Sequence, residues 1–155
     1  MKLTTKGRYA IIAMADLVLH CRNAPVSLKD ITKRQKISLS YLEQLFSKLR
    51  ESRIVKSIRG PGGGYTLGRD SSGISLLDII TAVDEKIDQT QCGGAMNCNH
   101  DKPCLTHYIW TELNEKINQY MRGITLSDIA TREDVKNIMI FRENENVNNY
   151  QRQKK

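Results

Sequence analysis

Residues 27–67 read SLKDITKRQKISLSYLEQLFSKLRESRIVKSIRGPGGGYTL, and this stretch decides the fold. Ser27 is a helix N-cap, with Asp30 three positions on and Ile31 facing inward, so a short helix begins there. The turn Lys36-Ile37-Ser38-Leu39 follows. Ser40 is read as opening the next helix, with Glu43 at its capping-box position. Leu42, Leu45, Phe46 and Leu49 keep the i, i+3, i+4, i+7 spacing of a core stripe, which leaves Tyr41, Gln44, Lys48 and Glu51 on the outer face. Two short helices across a tight turn, the second polar outside, form a helix-turn-helix. Ile54 to Arg59 and Tyr65 to Leu67 then read as strands joined by Gly60-Pro61-Gly62-Gly63-Gly64, a hairpin wing.

The glycine run is not a nucleotide loop. It lacks the Lys-Ser/Thr of a P-loop, fits no G-x-G-x-x-G register, and leads into a strand where a helix is required. It is either a bare flexible hairpin or a DNA contact. In the second case Gly60 and Gly62 let the backbone approach the duplex while Arg59 enters a groove.

Outward from this centre, Tyr9 to His20 is apolar almost all round, the mark of a helix buried on more than one side. Ser75 or Leu76 to Val83 forms another helix, with Leu76, Ile79, Ile80 and Val83 inward. Ile109, Trp110, Leu113, Ile117, Tyr120, Met121 and Ile124 line one face of a long helix, read as a homodimer seam in preference to the alternative of intrachain packing. Thr125 caps a short helical stretch after it. The fold class is therefore mainly α, a winged helix-turn-helix with a small β-hairpin wing and a long dimerisation helix. Residues 1–85 are assigned to the DNA-binding domain, 86–107 to a ligand loop, 108–130 to the dimerisation helix and its short successor, and 131–155 to a disordered tail.

Charge is uneven. Residues 1–70 hold 14 Lys and Arg against 5 Asp and Glu, a net +9, whereas residues 71–155 hold 10 against 12, a net −2. A basic half joined to a near-neutral half points to a polyanion-binding module with a second function attached. No secretory leader or stretch of ~20 apolar residues is present, so a cytoplasmic protein without membrane partners is expected.

In a reducing compartment clustered cysteines read as ligands rather than disulfides. Cys92, Cys98, Cys104 and His107 fall in the pattern C-x5-C-x5-C-x2-H, three thiolates and an imidazole in a polar loop with Gly93 and Gly94. Such donors select zinc, copper(I) or an iron–sulfur cluster. Pro103 is placed as the first residue of a helix, which would set Cys104 and His107 on one face of its first turn. His100 is an alternative fourth ligand. His20 and Cys21, at the end of the first helix, are read as a dipole partner and a packed thiol.

On the DNA side, Ser38, Ser40, Tyr41 and Gln44 lie at the start of the second helix of the motif, the end that reaches base edges. Glu43 is unusual beside phosphates. It is read both as a helix cap and as a residue that rejects sites lacking a suitable donor. Lys2, Lys6, Arg8, Lys36, Lys48, Arg50, Arg53 and Lys56 are candidate phosphate contacts.

From Met1 to about Ile129 the chain resembles the IscR family, the iron–sulfur cluster regulators among the winged-helix transcription factors. The resemblance rests on LTTKGRYA at Leu3–Ala10, ISLSYLEQLF at Ile37–Phe46, RGPGGGY at Arg59–Tyr65, AVDE at Ala82–Glu85, and the cysteines ending in CLTH at Cys104–His107. It implies a homodimeric regulator, repressor or activator, of cluster-biogenesis genes. It also implies a [2Fe-2S] cluster on Cys92, Cys98, Cys104 and His107 and a palindromic operator in double-stranded DNA. An imidazole in place of a fourth thiolate makes such a site less negative and adds a ligand that a proton removes, which suits a sensor. The competing readings are a zinc-stapled DNA-binding protein without sensing and a small iron–sulfur electron-transfer protein. The latter needs neither the wing nor the basic half. No residue pair suggests acid–base or nucleophilic catalysis or a small-molecule substrate, so a non-enzyme is expected.

Overall fold

The computed structural model describes residues 3–152, and side chains as far as Arg142. Met1, Lys2 and residues 153–155 lie outside it, and with them the candidate phosphate contact Lys2. Helix α1 spans Thr5–His20, α2 Leu28–Gln35 and α3 Leu39–Glu51. Strands β1 (Val55–Ile58) and β2 (Gly64–Leu67) pair antiparallel, with Val55 opposite Leu67 and Ile58 opposite Gly64. A 3-10 turn at Ser71–Gly73 leads to α4 (Leu76–Ala82), and α5 (His107–Gly123), α6 (Leu126–Thr131) and α7 (Glu133–Arg152) follow.

The core is the stripe expected of α3, with Leu42, Leu45, Phe46 and Leu49 closed against Ala10, Ala13, Met14 and Leu17 of α1 and against Ile31, Ile54, Ile79 and Val83. The wing is stitched to the α1–α2 connection: Val26 N donates to Tyr65 O at 2.9 Å and Tyr65 N to Val26 O at 2.8 Å. Gly64 is required at that junction, because a Cβ there would stand 2.4 Å from Val26 O. The Tyr65 ring then packs edge-on to Phe46 at 4.8 Å. The wing is thus seated on the body of the domain rather than hanging free.

Several boundaries differ from the expectation. Helix α3 is capped by Ser38, whose hydroxyl accepts from Tyr41 N at 3.3 Å, two residues before the Ser40 cap. Glu43 is therefore not its capping partner; it is exposed on the second turn. Helix α5 begins at His107, leaving Pro103 and Cys104 in the loop before it, where the Cys104 N–H donates to Cys98 Sγ at 3.1 Å. Short helix α6 leaves the direction of α5 and returns to the core. Leu126 is wholly buried, and an antiparallel bridge pins it through Leu76 N to Ile124 O and Leu126 N to Ile74 O, both 2.9 Å. The tail expected to be disordered from residue 131 is instead the helix α7 over Glu133–Arg152. Val135, Ile138 and Met139 of α7 face Ile12, Ala15 and Leu19 of α1 across a cavity of about 310 Å³. Val135, Ile138 and Met139 keep the i, i+3, i+4 spacing of a helix face, a periodicity that the polar remainder of the segment masks.

Asp16, which interrupts the apolar run of α1, is buried at 2 % exposure and paired. Arg34 reaches it with Nη2 at 2.7 Å and Nε at 2.9 Å, and Gln35 Nε2 at 2.6 Å. A buried carboxylate is tolerated only when so satisfied, and this one locks α2 onto α1. His20 meets the Asp16 carbonyl through Nδ1 at 2.7 Å, closing the last turn of α1. Among the described residues no helix is long and apolar enough to cross a membrane.

Candidate nucleic-acid interface and metal centre

The αL conformation of Lys36 (φ 57) turns the chain out of α2, and buried Ile37 anchors the turn, so that Ser38 starts α3 at the surface. Ser38, Ser40, Glu43 and Gln44 are exposed, and half-buried Tyr41 stands edge-to-face with Tyr9 at 5.8 Å. Thr5, Tyr9, Lys36, Ile37, Ser38 and Tyr41 frame a shallow notch at this end of α3. Hydroxyls and an ammonium around a notch beside a helix N-terminus suit a phosphate oxygen. Arg59, Gly60 and Gly62 are all exposed at the wing tip, and the two glycines hold φ 101 and 72 with open space around them. At those two positions no side chain keeps the backbone away from a groove. Among the basic candidates, Lys48 is engaged by Asp84.

The polar loop over residues 86–106 folds over the first turn of α5. His107 is only 4 % exposed, the one buried residue of that helix. Its Nδ1 lies 3.6 Å from Cys92 Sγ and 4.0 Å from Cys98 Sγ, and the three donor atoms fall within 4.8 Å of one another. Cys104 joins through Cys98, whose sulfur accepts the Cys104 N–H, and its own sulfur sits 3.8 Å from Thr106 Oγ1. His100, exposed at φ 45, lies outside the group of three.

The loop biases two thiols towards thiolate. Desolvation opposes ionisation of Cys92, but the Met96 and Gly94 N–H groups, with Cys98 and Thr90, bring it down to about 7. The Cys104 N–H lowers Cys98, but its thiol neighbours Cys104 and Cys92 together with desolvation outweigh that and push it up. Cys104 is lowered by Cys98 and by the Thr106 N–H and hydroxyl. Soft-metal ligation needs such deprotonation.

The sequence reading passed over the residues that hold this loop. Asn114 of α5 accepts from Gln89 N and donates to Asp88 Oδ1, each at 2.8 Å. Asp88 in turn takes Thr90 N and Oγ1 at 2.7 Å, and Thr90 Oγ1 accepts from Gly94 N at 2.8 Å. Trp110 Nε1 fixes Thr106 Oγ1 at 3.1 Å. The Asp88-x-Thr90 spacing carries a local turn signal; the Asn114 contact, 25 residues away, carries none.

A helix-turn-helix with a seated wing and an exposed, hydroxyl-rich helix start defines a winged-helix DNA-binding protein. The chain belongs to the Rrf2 family, described as iron-dependent transcriptional regulators, whose model matches residues 3–132. It is 52 % identical over 135 residues to the HTH-type transcriptional regulator IscR of Yersinia pestis, covering 87 % of this chain and 82 % of the relative. Among solved structures it is similar to T. potens IscR, with TM-score 0.67 and 37 % identity over 83 % of this chain and 85 % of that one. It is also similar to CymR, the global cysteine regulator of B. subtilis, with TM-score 0.73 and 34 % identity over 84 % and 97 %. The chain is accordingly a DNA-binding transcription regulator of the IscR type, not an enzyme.

Proposed function

We propose that the chain is a homodimeric, cytoplasmic regulator whose preference among DNA sites is set by a [2Fe-2S] cluster. Cys92, Cys98, Cys104 and His107 would hold that cluster. The carrying observation is the gathering of Cys92, Cys98 and His107 around the buried start of α5, in a chain half identical to IscR regulators. The donor set fits: the thiols of Cys92 and Cys98 beside the His107 imidazole, and the thiol of Cys104 tied to Cys98 through its backbone, supply the four ligands required, two of the thiols being biased towards thiolate. When bound, the cluster contributes redox chemistry and acid-labile iron ligation. With the four donors drawn together, residues 92–106 are tethered to α5, and the start of α5 is fixed relative to the winged domain.

Helix α5 is the proposed dimer seam. Met121 and Ile124 of the expected seam pack instead on the core of their own chain, while Tyr108, Ile109, Trp110 and Tyr120 stay 68 %, 62 %, 41 % and 67 % exposed. Four large apolar residues open on one helix exceed the scatter of a normal surface. Two such helices side by side would present two recognition helices to a palindromic operator. Ser38, Ser40, Tyr41 and Gln44 would contact it from α3, and Arg59, Gly60 and Gly62 from the wing. Glu43 would discriminate between classes of site. The genes controlled would be those of iron–sulfur cluster biogenesis.

A second reading is favoured by two distances. Separations of 3.6 and 4.0 Å between His107 and two thiols also suit a single four-coordinate zinc ion. Anaerobic purification, a visible spectrum, and iron, sulfide and zinc analysis test the two. Colour with equimolar iron and sulfide supports the cluster. Colourless protein with stoichiometric zinc overturns it in favour of the staple.

A further inference from the structure

We infer that Asp84 and Glu85 are positioning residues for DNA recognition. They form a pair of carboxylates at the end of α4 that holds α3 and the start of α1 in the attitude needed to read a specific site.

Helix α4 ends in a double backbone cap, with Glu85 N donating to Ile80 O at 3.1 Å and Asp84 N to Thr81 O at 3.0 Å. Its pivot is a left-handed residue, a place normally taken by glycine. Here it is Asp84, at φ 55. An unfavourable backbone conformation persists where surrounding contacts require the side chain, and this side chain meets the Lys48 ammonium in the C-terminal half of α3. The next residue, Glu85, reaches in another direction. Its carboxylate accepts the Thr4 N–H at 3.1 Å and the Thr4 hydroxyl, 81 positions away. Thr4 is the N-cap of α1 yet its own side chain caps nothing in the helix, so Glu85 supplies the anionic partner for that helix end. Gly7 makes room for it, since a Cβ at Gly7 would lie 3.2 Å from Glu85 Cγ.

Consecutive residues therefore bind two different helices of the DNA-binding unit. An ion pair such as Lys48–Asp84, with side chains 37 % and 70 % exposed, contributes little to global stability. What it constrains is orientation. It also occupies an ammonium that would otherwise meet any nearby phosphate. The inference rests on the family's DNA-binding role and not on the metal site, although Asp84 and Glu85 stand at the root of the cysteine loop.

The test uses the full-length protein and two duplexes, one selected in vitro by the wild type and one scrambled to the same composition. Asp84→Gly removes the carboxylate but suits the backbone, so its thermal midpoint should not fall. The ratio of selected to scrambled affinity should drop by about tenfold. Binding to the scrambled duplex should hold or rise, with a salt slope steeper by about one contact per protomer as Lys48 is released. Glu85→Gln should lower the ratio in the same sense. Asp84→Asn, which tolerates the left-handed region and keeps an oxygen acceptor, should retain part of it. A ratio within about twofold of wild type in folded Asp84→Gly and Glu85→Gln overturns the inference. So does a parallel loss on both duplexes with a lowered midpoint, which would make the pair merely structural.

Discussion

His107 Nδ1 stands 3.6 Å from Cys92 Sγ across fifteen positions of sequence, and the imidazole is buried while the thiol's loop is largely exposed. The helix therefore presents the histidine as a fixed post, and the loop brings the cysteines to it.

Replacing that post tests the ligand set. His107→Ala should make the bound chromophore more labile to air and chelator, and His107→Cys should make it harder to lose, because thiolate donates more charge than imidazole and neutral histidine leaves on protonation. The measurement is decay of visible absorbance. Wild-type persistence in His107→Ala together with loss of colour in His100→Ala would reassign the ligand.

Arg59→Ala should weaken operator binding by about 1–3 kcal/mol without altering the visible spectrum. Wild-type affinity itself should fall steeply with salt, as for ~6–10 phosphates contacted by a dimer. Anisotropy titrations at several salt concentrations read both. An Arg59→Ala curve superimposed on wild type would remove the wing from recognition.

Glu43 is exposed and caps nothing, so its carboxylate is free to act on DNA. In protein with Cys92, Cys98 and Cys104 all changed to Ala, Glu43→Ala should restore binding to sites selected by the cluster-loaded form. If binding stays lost, the discrimination resides elsewhere.

Asp78 closes the capping box of α4 and meets Arg69 at 3.2 Å. Partial burial works against the carboxylate, but the Ser75 N–H and hydroxyl and then Arg69 prevail and lower its pKa below the ordinary 3.8. A group depressed in the folded state stabilises above its unfolded value and loses that contribution as pH falls through its folded one. The difference in thermal midpoint between wild type and Asp78→Asn should thus be constant from about pH 7 to 5 and close only below about 3.8. Closure already at pH ~5 would show that the cap is not what Asp78 supplies.

Much of this architecture was legible in the sequence because it is written locally. The stripe Leu42, Leu45, Phe46, Leu49, the Ser27 cap, the glycine turn and the inward face of α4 all follow from periodicity and turn chemistry, and each is found. Failures occur where distant partners decide. Serine occurs at 38 and 40, and buried Ile37 selects Ser38 as the cap. Pro103 suits a first helical position, yet the chain stays in the loop until His107, with the Cys104 N–H turned to the sulfur of Cys98. Nothing local in α1 accounts for Asp16 within an apolar helix; its partners Arg34 and Gln35 lie 18 and 19 positions on. The polar run after Phe141 masked a helix whose apolar residues Val135, Ile138 and Met139 keep the i, i+3, i+4 spacing and line the cavity beside α1. At the metal centre, the four candidate donors could be read from residue type alone, whereas Asn114 and its hold on the loop could not.

The bridge between Ser75 and Thr125 closes the winged unit on itself. The chain departs after Glu85 and comes home at Ile124, at opposite ends of α4 and so roughly 10 Å apart. Only the ligand loop, residues 86–106, is an excursion between these anchorage points, because α5 packs on α4 and sets Met121 against the core. The loop's length and donors can change without re-registering the core, provided both anchors and the seat of α5 survive.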